Sequence, residues 1–191
     1  MGILSGTTCY LAGPAEKCDD PFGWRREIAQ FLYDEHGVKS IDPLIKPEWF
    51  ASELTVSPSA YKNQYKEDNP DGLRDQDRIR TICKRMVAIA DWMVVKLSNE
   101  PTVGTIEEMR DALDQNKPDV LICPDEQISM WAANLISDDH FYARSHHCQD
   151  VGEFKDKVKN IDSMTLEQLV TDEVMATKWL FLTYWYKLEH S

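Results

Sequence analysis

The feature that most narrows the fold of this chain is a rhythm: short β-prone apolar runs alternate with stretches whose apolar residues recur at helical spacing. The first run, TCYLA at residues 8–12, stops at Gly13-Pro14, since proline cannot continue a buried strand. Residues 22–32 then place Trp24, Ile28, Phe31 and Leu32 on one helical face, with Gly37 as the stop. Residues 38–41 read as a second strand closed by Asp42-Pro43. Residues 44–73, polar and carrying Pro47, Pro58 and Pro70, read as a long loop with one helical turn; such loops are usually functional or mobile.

The rhythm then resumes. Ile79, Ile82, Met86, Val87 and Ile89 mark a helix up to Ala90, with Asp75 and Asp77 in its solvated start, and WMVVKL (92–97) a third strand. Ile106, Met109, Ala112 and Leu113 form the stripe of the next helix, and DVLIC (119–123) a fourth strand closed by Pro124. HFYARS (140–145) is the expected fifth strand, followed by a helix lined by Phe154, Val158 and Ile161 and an apolar tail helix, TKWLFLTYWYKL. Strands alternating with helices predict an α/β fold, a flavodoxin-like or Rossmann-like three-layer sandwich around a five-stranded, mostly parallel sheet. The α/β domain is expected over residues 1–161, with a C-terminal helical extension over 162–191. Such folds bind ligands beyond the carboxyl ends of their strands. Those ends are the turn at Gly13-Pro14, the loop after Asp42 and the loop into Gly104-Thr105, which should share one rim.

Charge excludes some partners. Acids outnumber bases 33 to 21, a net charge of −12, and no stretch is basic enough to track a nucleic-acid polymer or an anionic membrane surface. A single nucleotide is compatible, because one phosphate needs only a helix N-terminus and one or two basic side chains. No segment approaches the roughly 20 apolar residues that cross a bilayer, and MGILSGTTCYLAGP lacks the basic start and long apolar run of a signal peptide. The five cysteines, at 9, 18, 83, 123 and 148, have neither metal-type nor redox-type pair spacing, which suits a reducing, cytoplasmic setting. His146-His147-Cys148 is not expected to hold a metal, because neighbouring strand residues point to opposite faces and no further ligands lie close in sequence. No cofactor is expected. Trp179, Leu180, Leu182, Tyr184 and Trp185 read as core or as a subunit interface, and the apolar tail makes a homo-oligomer the expectation.

Candidate chemistry gathers in VGTIEEMRDAL, residues 103–113. Thr105-Ile106-Glu107-Glu108 matches the S/T-x-x-E capping box, in which the glutamate merely ties off a helix start. The same residues suit a nucleophile: a helix N-terminus favours an anion, and Gly104 lets backbone come close to a ligand. A carboxylate so held can attack an anomeric carbon and form a glycosyl ester. Tyr10 reads either as plain core or as a hydroxyl that reaches the rim, and Lys17 either as a surface cation or as a phosphate contact. YLAGPAEKC lacks the glycines of a dinucleotide fingerprint.

With those residues in view, the chain resembles the nucleoside 2-deoxyribosyltransferase family. The matching pieces are CYLAGP at 9–14, AIADWMVVKL at 88–97, VGTIEEMRDALDQNKPDVLICPDE at 103–126 and, more loosely, MWAANLISDD at 130–139, so the likeness spans roughly residues 7 to 160. The resemblance implies the same fold and cleavage of the N-glycosidic bond of a (deoxy)nucleoside or nucleoside 5′-monophosphate through a covalent glycosyl-glutamate. The sugar passes to another base or to water, so the enzyme would be a transferase or a hydrolase. By the Gly-Thr-x-x-Glu register the implied nucleophile is Glu108, not Glu107, and the family's supporting tyrosine falls on Tyr10. Gly13, Pro14, Gly104 and Thr105 are expected beside them on the substrate-binding rim.

Two positions depart from the family pattern. Cys83 stands eight residues before Asp91, where many members carry an acid that handles the base proton, and Thr102 replaces another acid six before the nucleophile. General acid help at a leaving base is worth about 10²–10⁴ in rate. The alternative function is therefore a nucleotide-binding sensor on the same scaffold with weakened or lost catalysis.

Overall fold

The strands are β1 (Thr8–Ala12), β2 (Lys39–Ile41), β3 (Trp92–Lys96), β4 (Asp119–Ile122) and β5 (Ser145–Cys148). In this computed structural model, which describes residues 2–15, 20–45, 70–97, 103–124, 128, 132, 145–172 and 179, they form one sheet ordered β2-β1-β3-β4-β5. Every neighbouring pair is parallel, with Tyr10 beside Ile41 on one side and Met93 on the other. The helices are α1 (Gly23–His36), α2 (Pro70–Ile89), α3 (Val103–Asp114), α4 (Val151–Ser163) and α5 (Leu166–Thr171). The order 2-1-3-4-5 belongs to doubly wound, flavodoxin-like sheets, whose ligand crevice opens where the winding reverses, here between β1 and β3.

Strand alternation sorts the side chains into two cores. Cys9, Leu11, Trp92, Val94, Val120 and Ile122 face Trp24, Ile28, Phe31 and Leu32 of α1 and Phe154, Val158 and Ile161 of α4. Tyr10, Ala12, Met93, Val95 and Leu121 face Val87 of α2 and Met109 and Ala112 of α3. Helices thus cover both faces, which is why the central strands read as unbroken apolar runs rather than as alternating ones. α1 ends where Gly37 takes the left-handed conformation (φ 66°), its amide and that of Val38 closing on the last carbonyls of the helix.

Three boundaries differ from the sequence reading. Pro70, expected inside the long loop, opens α2, where a missing N–H costs nothing because first-turn amides have no intrahelical partner. Residues 46–69 of that loop lie outside the described residues, as do 140–144 of the expected fifth strand. The described fifth strand is Ser145–Cys148, aligned residue for residue with Asp119–Ile122. Its histidines hid it from a search for apolar runs. Residues beyond 161 also join the core: Leu169 and Trp179 are buried in the α1-side cluster, and Asp162, still within α4, bonds Leu4 N over 2.8 Å and His36 over 2.7 Å. The remainder of the apolar tail lies outside the described residues.

Candidate functional site

Tyr10 and Glu108 come together. Tyr10 sits mid-β1 and turns toward α2 and α3, where its side chain is fully buried. Thr105, Met109 and Ala112 root α3 in the core, and Glu108, one residue off that stripe, stands half-buried at its margin. The Tyr10 hydroxyl donates to Glu108 Oε1 over 2.6 Å. Burial first, then the charge of Glu108 and the thiol of Cys83, hold the phenol pKa far above its ordinary range, so Tyr10 remains a neutral donor.

Two ion pairs align the helices that frame this contact. Arg80 of α2 meets Glu107 of α3 over 2.8 Å, and one turn on Lys84 meets Asp111 over 3.1 Å. Cys83 lies on the intervening turn of α2, against the Tyr10 hydroxyl. Glu107 and Glu108, adjacent in sequence, therefore have separate duties: one faces a surface arginine, the other a buried phenol.

The capping-box reading fails on this geometry. α3 already begins at Val103, Thr105 is buried inside it, and Glu108 lies in the second turn with Oε1 on Tyr10. The expected help from the helix dipole fails as well, since that effect fades beyond the first turn. Tyr10 supplies what the helix start does not. Gly104 is exposed, and an added Cβ would meet nothing within 4 Å, so no packing among the described residues demands glycine there.

At the carboxyl end of β1 a buried arginine organises the rim. Arg25, 1 % exposed, donates to Leu11 O (3.4 Å), Gly13 O (2.7 Å), Pro14 O (3.1 Å) and Pro21 O (2.6 Å), and its Nε lies 3.5 Å from Asp42 Oδ1. Its guanidinium stacks 4.5 Å from the Trp24 ring centre. A Cβ on Gly13 would fall 2.5 Å from Trp24 Cζ2 and 3.0 Å from Lys96 O, so glycine is required by close packing. The structure thus places Gly13 and Pro14 on the rim with their carbonyls turned to Arg25. Sequence reasoning missed Arg25, although its spacing to Ile28 and Leu32 puts it on the buried stripe of α1.

Other candidates separate from this centre. Trp179 Nε1 donates to His146 Nε2 over 3.1 Å, and His147 Nε2 bonds Cys123 O over 2.7 Å, so the two histidines serve different neighbourhoods. Lys17, Thr102 and residues 133–139 lie outside the described residues, as do the side chains of Asp75 and Asp77. A cavity of about 600 Å³ opens at the amino end of the sheet, lined by Gly2, His36, Lys159 and Asp162, far from Glu108. Among the described residues no helix is long and apolar enough to cross a membrane.

Neither a family model nor a curated protein matches the chain. Among solved structures it is similar to a conserved protein from Enterococcus faecalis V583, with a TM-score of 0.52 and 12% identity over 81% of this chain and 98% of that one. A likeness at that identity reports the shared α/β fold.

Proposed function

We propose that this chain is an enzyme that cleaves or exchanges the N-glycosidic bond of a deoxynucleoside or nucleoside 5′-monophosphate, with Glu108 as nucleophile. The observation that carries the proposal is the 2.6 Å bond from Tyr10 to Glu108, which holds a carboxylate on the face of α3 that looks across to α2. Such a carboxylate attacks C1′ as the C1′–N bond breaks, and the base departs with the bonding electron pair and takes up a proton. The resulting ester is opened at C1′ by water or a second base, which frees Glu108 and retains configuration. Tyr10 donates to the same carboxyl group throughout, fixing its orientation as charge leaves it and returns. A 2-deoxy sugar suits this route, because it lacks the electron-withdrawing hydroxyl that opposes an oxocarbenium-like transition state.

Incubation with pooled deoxynucleosides, deoxynucleotides and free bases, resolved by chromatography, is expected to show bases released or exchanged. Glu108→Ala is expected to abolish this in a folded protein. Wild-type turnover in that variant would reject the assignment.

One observation favours a second reading. The thiol against Tyr10 is a weak donor where an acid would aid the departing base. A nucleotide sensor with slow or absent turnover would bind nucleosides tightly and yield no product from any base.

A further inference from the structure

We propose that Arg25 is a positioning residue for the crevice, a claim that rests on the glycosidic reading above for its catalytic consequence. Carbonyls of β1 alternate in direction: Thr7 O accepts from Lys39 N on the β2 side, and Thr8 O accepts from Asp91 N on the β3 side. By the same alternation Leu11 O and Gly13 O face the β2 side. β2 pairs with β1 only as far as Ile41 opposite Tyr10, so its backbone offers no ladder donor to either oxygen. Arg25 supplies those donors instead, reaching Leu11 O through Nε and Gly13 O through Nη2, and adds Pro14 O through Nη1. The guanidinium extends the sheet by side chain where the strand has stopped.

This matters for the rim because a trans peptide points its C=O and N–H in opposite directions. With Pro14 O drawn to Arg25, the Ala15 N–H is sent away from it, out of the β2 side. Asp42, the residue after β2, neutralises the buried cation, and the Trp24 ring closes over it. One side chain therefore fixes the turns after both β1 and β2, beside the point where the winding reverses. Lysine carries no planar fork and cannot hold several carbonyls in these directions at once.

The test compares wild type with Arg25→Lys, Arg25→Ala and Asp42→Asn, each checked for folding by thermal melting. Hydrogen exchange over residues 11–15, read at the amides of 11, 12, 13 and 15, and steady-state kinetics on the deoxynucleoside cleaved by wild type are the readouts. Arg25→Lys is expected to exchange faster over residues 11–15 and to lose about 10–100-fold in kcat with a smaller change in KM, the scale on which small misplacements act. Added guanidinium ion should restore part of the Arg25→Ala loss where sodium does not. Asp42→Asn, which keeps the arginine, should shift both readouts in the same direction by less, and decides the matter should the Arg25 variants not fold. Unchanged exchange at 11–15 in the folded variants overturns the proposal. Should wild type turn over no nucleoside, the glycosidic reading falls, and exchange at 11–15 alone then upholds or overturns the holding role.

Discussion

The hydroxyl of Tyr10 lies 2.6 Å from Glu108 Oε1, joining the middle of the first strand to the second turn of the helix after the third. A fully buried phenol with a pKa driven upward keeps its proton, and it donates its one hydrogen bond to this carboxylate. Removing the hydroxyl while keeping the ring should separate orientation from packing. Tyr10→Phe is expected to lower kcat by about 10–100-fold with little change in KM. Urea denaturation should show a loss of about 1.5–3 kcal/mol, the range for a hydrogen bond to a charged group.

The neighbouring carboxylate provides a control for register. Glu107 pairs with Arg80 at the surface, with side chains 39% and 55% exposed. Glu107→Gln should therefore leave turnover at the wild-type level and shift stability by less than about 1 kcal/mol, as exposed ion pairs do. A loss of activity confined to Glu107 variants would place the nucleophile one residue earlier.

Gly13→Ala should be costly. The added methyl would stand 2.5 Å from Trp24 Cζ2, and the backbone of Lys96 blocks retreat on the other side. Overpacking of this kind costs about 1–3 kcal/mol. Combining it with Trp24→Phe, which shortens the ring, should recover part of that loss in urea unfolding. Simple addition of the two single effects would remove Trp24 as the obstacle.

Alkaline pH should destabilise the fold through three buried acids. Burial raises Cys9 and Tyr10 well above their ordinary values and pushes Cys148 up to about 12. A raised pKa means that the folded chain keeps a proton which the unfolded chain releases, so the contribution is full below the unfolded pKa and is lost above it. The decline should begin near pH 9, where unfolded thiols ionise, and the Cys148 share should end near pH 12. Each such group contributes about 1.4 kcal/mol per pH unit within its window. Urea midpoints from about pH 8 to pH 11 should fall less steeply in Cys148→Ala than in wild type.

Much of the architecture was legible because a sheet covered on both faces leaves continuous apolar runs, and helices leave a stripe. TCYLA, WMVVKL and DVLIC announced β1, β3 and β4, and Trp24, Ile28, Phe31 and Leu32 announced α1. The expected rim follows from the same alternation, since parallel strands carry all their carboxyl ends to one edge. A fifth strand was expected at HFYARS, but its run through Ser145–Cys148 was not, because the polar residues there are satisfied by neighbours remote in sequence: His146 meets Trp179, and His147 meets the carbonyl of Cys123.

The sequence by itself determined the order of elements and hence which strand ends share one edge of the sheet, because hydrophobic periodicity is a local property of the chain. It left the duty of Glu108 open, since capping and catalysis use the same few residues at a helix start. Only the tertiary structure decided that Tyr10 takes this carboxylate, that Glu107 faces Arg80, and that Arg25 stands in for the end of β2. Each of these depends on where groups distant along the chain arrive in space, and hydrogen bonds have directions that no local pattern records.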